Sequence, residues 1–273
     1  MLRCPWTNAQ LRRLSNHIRD GAPLTPGDPS YSEVMVWYND LAAQVQREIA
    51  SLAWEPLLRG RPFEVTSRPK TIDTLRDKLR RDTGTPLLSV QDIAGVRFEA
   101  EMSLDEQDGV VNAICGLYGH DLESAVRDMR GKPHSGYRAV HIWLKLPARV
   151  EIQVRTHLQG HWANAYELAA DIYGREIRYD DALPDDEIQA GIVTELREIS
   201  LFRVSKIERD RNEISNLESQ VEDTVRRGGA EPPLWLRRRL ALLRRRNGTN
   251  ERELQALLSE VQAAFERARL GRD

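Results

Sequence analysis

Two short stretches place carboxylates where they could work on phosphates or hold a hard cation. The first, Arg149-Val-Glu-Ile-Gln-Val-Arg-Thr156, alternates apolar and polar residues. A strand repeats every two residues, so Val150, Ile152 and Val154 fall on one face and Glu151, Gln153 and Arg155 on the other. One face suits packing, and the other offers a carboxylate, an amide and a guanidinium to a cleft. Taken alone, a solvent-facing polar side explains the pattern equally well. The second stretch is Gln91-Asp-Ile-Ala-Gly-Val-Arg97, where Gly95 lets another group come close to the backbone. Mg²⁺ at a phosphate site takes one or two protein carboxylates and fills its octahedron with phosphate oxygens and water. Asp92 and Glu151 supply that pair if their strands are neighbours.

A basic element lies upstream, in Ser67-Arg-Pro-Lys-Thr-Ile-Asp-Thr-Leu-Arg-Asp-Lys-Leu-Arg-Arg81. On a helix starting near Thr71, the residues Thr74, Lys78 and Arg81 share one face, with Arg68 and Lys70 on the preceding loop. Cations gathered at a helix N-terminus favour a phosphate group; the bland alternative is a solvated basic face. Further along, Gly136-Tyr137 is expected to begin a strand with Tyr137, Ala139 and His141 on one side. The Tyr137 ring could stack on a base, although a tyrosine in such a place is more often a core or edge residue.

These groups need a frame. Thr7 caps a helix carrying Leu11, Leu14 and Ile18. The stretch Gly21-Ala-Pro-Leu-Thr-Pro-Gly-Asp-Pro-Ser30 breaks it, and Ser30 with Glu33 forms a capping box for a second helix reaching about Leu52. From Arg61 to Tyr179, short strands alternate with helices: Phe63–Ser67, a helix to Arg81, Ile93–Glu101, a helix from Leu104, Tyr137–Leu146, Arg149–Thr156, and a helix from His157. Beyond Pro184 the spacing is helical, broken at Gly228, Gly229, Pro232 and Pro233. Asn247-Gly248 is expected to end a helix begun near Leu234, with another starting at Asn250. The fold class is α+β, with a mixed sheet flanked by helices and helical extensions at both ends. The expected divisions are 1–60, 61–180 and 181–273.

Composition narrows the classes. Of 273 residues, 40% are hydrophobic and 30% charged, which suits a soluble globular chain rich in surface helix. No apolar run approaches the roughly 18 residues of a membrane span, and no apolar leader follows Met1. Cys4 and Cys115 show no metal-ligand spacing, so a reducing cytoplasm is expected. The net charge of −2 conceals an asymmetry. Residues 180–224 hold thirteen acidic and five basic side chains, whereas 225–273 hold twelve Arg against six Asp or Glu. Pairing between helices and a polyanion-binding tail both fit that division, pairing slightly better.

At this point the motifs resemble a family. Arg68-Pro-Lys70 with Thr74 and Lys78 is similar to the R-x-K-x-x-x-S-x-x-K element of RelA/SpoT synthetase domains, with Thr in place of Ser. Asp92 to Arg97 resembles D-x-x-G-x-R, Gly136 to His141 resembles G-Y-x-x-x-H, and Glu151 to Thr156 resembles E-I-Q-x-R-T. The elements keep family order across about residues 62–180. The resemblance implies a nucleotidyltransferase-like sheet and a Mg²⁺-dependent pyrophosphokinase, which moves the β,γ-pyrophosphate of ATP to the 3′-hydroxyl of GDP or GTP. By position, Arg68 and Arg97 would flank the donor adenine, and Lys70, Thr74, Lys78 and Arg81 would face its phosphates. Asp92 and Glu151 would bind the metal, with Glu151 also the base and Gln153 beside it. Tyr137, His141 and Arg155 would serve the acceptor.

Three departures fall on the acceptor side: Asp128-Met129 where Asp-Tyr is common, Lys132 displaced from the turn, and Tyr166-Glu167 where many small synthetases have Glu-His. They keep open a toxin-type relative that modifies the 3′ end of tRNA, or makes adenosine alarmones, and is neutralised by an antitoxin. The runs Arg237–Arg239 and Arg244–Arg246 fit that alternative. A catalytically inactive nucleotide-binding module is a third reading, which the intact carboxylate pair opposes. By length the chain is expected to be a stand-alone synthetase, partnered by an antitoxin or by copies of itself.

Overall fold

The first helices start where capping chemistry starts them. In a computed structural model describing residues 2–69, 72–81, 84–131, 134–179, 182–228 and 231–270, Thr7 and Gln10 close a capping box at α1 (Asn8–Asp20). Ser30 and Glu33 do the same at α2 (Tyr31–Ala50). Between them the Gly/Pro-rich segment forms no regular element. A short α3 (Glu55–Leu58) leads to β1 (Phe63–Pro69), α4 (Ile72–Arg81) and β2 (Ala94–Ala100). Then come α5 (Leu104–Leu117), α6 (Leu122–Ala125), β3 (Val126–Asp128), β4 (Val140–Lys145), β5 (Arg149–Thr156) and α7 (His157–Tyr173). The last part is α8 (Glu187–Glu198), a π-helical segment (Ile199–Val204), α9 (Ser205–Gly228) and α10 (Leu234–Leu270).

The five strands make one mixed sheet in the order β1-β2-β5-β4-β3. Strands β4 and β5 are antiparallel, with His141 opposite Gln153 and Trp143 opposite Glu151. Alternation holds on all three inner strands. Val96 and Phe98, Ile142 and Leu144, and Val150, Ile152 and Val154 are buried, while Arg97, His141, Trp143, Glu151 and Gln153 keep partial exposure. The α+β class and the flanking helices are as the sequence implies.

The chain forms two compact units. The first comprises Met1–Glu99, Val110–Arg127 and Val140–Val154; the second comprises Ala100–Gly109, Asp128–Ala139 and Arg155–Asp273. In the first, Phe63 stacks on Phe98 at 5.6 Å and Trp54 meets Phe98 edge-on at 4.9 Å. The buried Tyr38 hydroxyl donates to the Leu87 carbonyl at 2.9 Å. In the second, α7 packs with α8, α9 and α10 around Trp162, Leu196, Leu254, Leu258 and Phe265.

Two expectations are corrected. Asn247-Gly248 does not end a helix; α10 runs unbroken through it to Leu270. A glycine inside a helix costs about 1 kcal/mol. Each buried leucine returns roughly 1.5–3 kcal/mol, and Leu243, Leu254 and Leu258 lie on the same buried stripe as Asn247. Packing therefore outweighs the stop signal. Second, β4 begins at Val140, so Tyr137 precedes the strand. Ser135 (φ 49°) and Gly136 (φ 85°) both take left-handed backbone, which turns the chain just before Tyr137. Among the described residues no helix is long and apolar enough to cross a membrane.

Candidate active site

In the first unit, the adjacency of β2 and β5 settles what spacing could not: Glu151 stands on the strand next to the one that Asp92 leads into. The Asp92 charge acts to raise the Glu151 pKa, as a second carboxylate near enough to repel it would. Lys78, from α4, donates to Asp92 Oδ1 at 2.5 Å. Each side chain of that pair is about one third exposed (33% and 32%), the setting in which an ion pair is worth no more than about 1 kcal/mol.

Glu151 is more enclosed, with its side chain 13% exposed. Burial is the largest influence and pushes its pKa up. The hydrogen bond and charge of His141, with the bond from Gln153, outweigh that and hold it below the ordinary carboxylate range. Three donors reach it: His141 Nδ1 at 3.2 Å and Trp143 Nε1 at 3.3 Å, both on Oε1, and Gln153 Nε2 at 3.2 Å on Oε2. An ionised carboxylate only accepts, so the tautomer with a proton on His141 Nδ1 is the one that fits. Trp143 was not expected here, and the Arg127 guanidinium lies 4.7 Å from its ring centre. The signal was available: the alternation that puts His141 on the polar face puts Trp143 there too.

The donor element is described in part. Lys70, and the side chains of Arg68, Thr74 and Arg81, lie outside the described residues. Arg97 stands half-exposed on β2, on the face it shares with Gly95. Lys132 also lies outside the described residues.

Tyr137 and Arg155 belong to the second unit. Arg155 was expected beside Glu151 and Gln153 on the polar side of β5. It is instead buried at 3% exposure, and alternation ends at Val154. Its Nη2 donates to the Tyr137 hydroxyl at 2.9 Å and its guanidinium lies 5.3 Å from the Tyr137 ring centre. The tyrosine offers both a hydroxyl and a π-face, which together draw a buried cation. Tyr137 itself is half-buried against the α7 core, not sealed within it. Tyr166 is a packing residue, stacked on Trp162 at 4.8 Å, and Glu167 pairs with Arg178 at 2.9 Å.

Among the described residues no group of three or more His, Cys, Asp or Glu side chains is arranged to hold a metal ion. The Asp92–Glu151 pair nevertheless suits a hard divalent cation: both donors are carboxylate oxygens, Glu151 is ionised, and each carboxylate raises the energy of the other.

Comparison with known proteins agrees with the motifs. Residues 67–176 match the family described as the region found in RelA / SpoT proteins. The uncharacterized proteins Rv1366 of Mycobacterium tuberculosis and Mb1401 of Mycobacterium bovis are each 50% identical over 192 residues, covering 70% of this chain and 68% of theirs. Among solved structures, small alarmone synthetase 1 from Bacillus subtilis superposes with a TM-score of 0.51 at 22% identity, over 71% of this chain and 98% of that one. The same enzyme bound to its product pppGpp gives 0.52 at 20% identity, over 70% and 97%. Such identities speak for the fold alone, whereas the motif-bearing region and the mycobacterial relatives speak for descent. The chain belongs to the RelA/SpoT family, with a synthetase-type domain at its core.

Proposed function

We propose that the chain is a pyrophosphokinase that moves the β,γ-pyrophosphate of ATP to the 3′-hydroxyl of GDP or GTP. The observation that supports this most directly lies in the first unit, where Lys78 bonds Asp92 and the Asp92 charge reaches Glu151, all inside the family region. Asp92 and Glu151 would hold Mg²⁺, which supplies neutralisation of phosphate charge. Lys78 exchanges its weak bond with Asp92 for a donor phosphate oxygen. Glu151 accepts the proton of the 3′-hydroxyl as its oxygen bonds to the β-phosphorus and AMP departs. A carboxylate with a depressed pKa is a feeble base, but transfer through a loose transition state asks for positioning and charge more than basicity. His141, Trp143 and Gln153 fix the direction in which Glu151 points. In the second unit, Tyr137 stacks on the acceptor base, and Arg155 holds Tyr137.

ATP labelled on its γ-phosphate, offered with GDP, GTP, AMP, ADP or tRNA in separate reactions with Mg²⁺, tests this. Label is expected on the guanosine nucleotides. Label on tRNA or on adenosine nucleotides alone would replace the acceptor assignment, and no transfer to any of them would overturn the activity.

A further inference from the structure

The residues flanking Tyr137 and Arg155 are gripped by a helix that lies outside the matched region. Glu208, on α9, is buried at 4% exposure. Its Oε2 accepts from Arg138 Nε at 3.0 Å and Nη2 at 2.7 Å. Its Oε1 accepts from Gln159 Nε2 at 2.6 Å and Thr156 Oγ1 at 3.4 Å. Arg138 directly follows Tyr137, and Thr156 directly follows Arg155. One carboxylate thus ties down both neighbours of the tyrosine–arginine pair.

A second grip lies two turns earlier. The hydroxyl of Ser200, in the π-helical segment, donates to the carbonyl of Gly136, the residue before Tyr137. Beside it, Trp162 Nε1 donates to the Leu196 carbonyl at 2.6 Å. A Cβ at Gly136 would come within 2.9 Å of the Trp162 ring, so the turn is pressed against α7 with no slack. Single π-helical turns recur at functional sites because they re-aim side chains that a regular helix would direct elsewhere.

Stability alone is a poor account of the buried pair. Replacing a buried ion pair with apolar residues of similar volume often leaves a protein as stable or more so. What a saturated buried carboxylate supplies is direction. We infer that the α8–α9 helix is the positioning element of the acceptor platform, with Ser200 and Glu208 as positioning residues that fix Tyr137 and Arg155. The inference rests on the reading of Tyr137 as the acceptor platform. Its consequence is that acceptor selectivity is set in part by a helix beyond the family region.

The test is steady-state transfer with the full chain, varying GDP at saturating ATP and ATP at saturating GDP. Ser200→Ala and Glu208→Gln are expected to raise the acceptor KM roughly tenfold while the KM for ATP holds, the pattern of lost acceptor binding. Ser200→Thr, which keeps the hydroxyl, should restore it. Unchanged acceptor KM in both variants, or both KM values rising together with a fall in melting temperature, would overturn the inference. If Glu208→Gln does not fold, the Ser200→Ala and Ser200→Thr pair decides alone. Tyr137→Ala in the same assay separates the two levels. If it leaves the acceptor KM unchanged, the platform reading fails and this inference with it; if it raises that KM while Ser200→Ala does not, only the positioning role falls.

Discussion

The polar face of the sheet and the α9–α10 pair are both dense in charge, and they use it in opposite ways. On α9 and α10 charges meet opposite charges across the helix pair: Arg244 with Glu218 at 2.7 Å, Arg246 with Asp210 at 3.0 Å (Lys206 also reaching Asp210 at 2.7 Å), Arg211 with Glu251 at 2.5 Å, and Arg239 with Glu213. On the sheet, Glu151 is held by three bonds of 3.2–3.3 Å while the Asp92 charge works against its ionisation. A scaffold brings opposite charges together until nothing remains to be gained. A site leaves like charges in each other's field, so that a ligand of opposite sign gains by arriving. Charge density by itself distinguishes neither.

The largest effect should therefore come from the sheet. Glu151→Gln keeps the shape and the neighbours but removes the charge, and should lower kcat by at least about 10²–10³-fold, the scale of one preorganised electrostatic contact. Melting temperature near neutral pH should hold or fall only slightly, since the depressed pKa means that the ionised form adds a modest share of stability, offset in part by relief of the repulsion with Asp92. A variant that unfolds, or one that retains transfer, would show Glu151 to be scaffold like the helix pair. Lys78→Ala comes next. It should raise the KM for ATP roughly tenfold, about 1.4 kcal/mol of phosphate contact, and cost little stability because its bond with Asp92 is between side chains about one third exposed. An unchanged KM would return α4 to a solvated basic face.

Most of this division was legible in the sequence where a local rule had no rival. The capping residues Thr7 and Ser30 mark helix starts, and the stretch Arg149–Thr156 is β5 itself, its alternation holding as far as Val154. What escaped was decided elsewhere in the chain. Asn247-Gly248 is a stop signal in isolation, and only the buried stripe of α10 shows why the helix continues. Arg155 reads as cleft-facing from period two, yet Tyr137, eighteen residues earlier, draws it inward. Lys78 and Asp92 were each assigned a phosphate or a metal, and nothing in their spacing announces that they meet.

A pH profile sharpens the account of Glu151. Its pKa in the folded chain is depressed, so its share of stability is present above the unfolded value and is lost as pH falls through the folded one. Transfer that needs the ionised form should follow the same limb, dropping only below the usual carboxylate range of about 4.3. His141 supplies the main depressing influences. In His141→Ala the remaining balance, burial and Asp92 against Gln153, should move the pKa up and the acid limb of kcat/KM to higher pH. A limb that stays in place or moves down would show that His141 does not tune Glu151.

The smallest effects should come from the matched helix pair, and they bear on the acceptor. Arg239→Ala and Arg244→Ala each remove one side of an exposed pair, worth about 0.2–1 kcal/mol. Loss of that size moves the melting temperature of a chain this long by no more than a few degrees, at about 2–4 °C per kcal/mol. A double-mutant cycle of Arg244→Ala with Glu218→Ala isolates the pair itself; its coupling should be small and should shrink as salt is added. Transfer to guanosine nucleotides should be unaffected, because these arginines are engaged by α9. A phosphate backbone would have to compete with those acidic partners for the same guanidinium groups. If tRNA were nonetheless the acceptor, its labelling would fall steeply as the arginines are neutralised, and more steeply with salt for the unsubstituted chain than for the variants, since each lost phosphate contact removes about 0.9 from the slope on a duplex and 0.7 on a single strand. That result would make the helix pair part of the site, and the contrast between the two regions would fail.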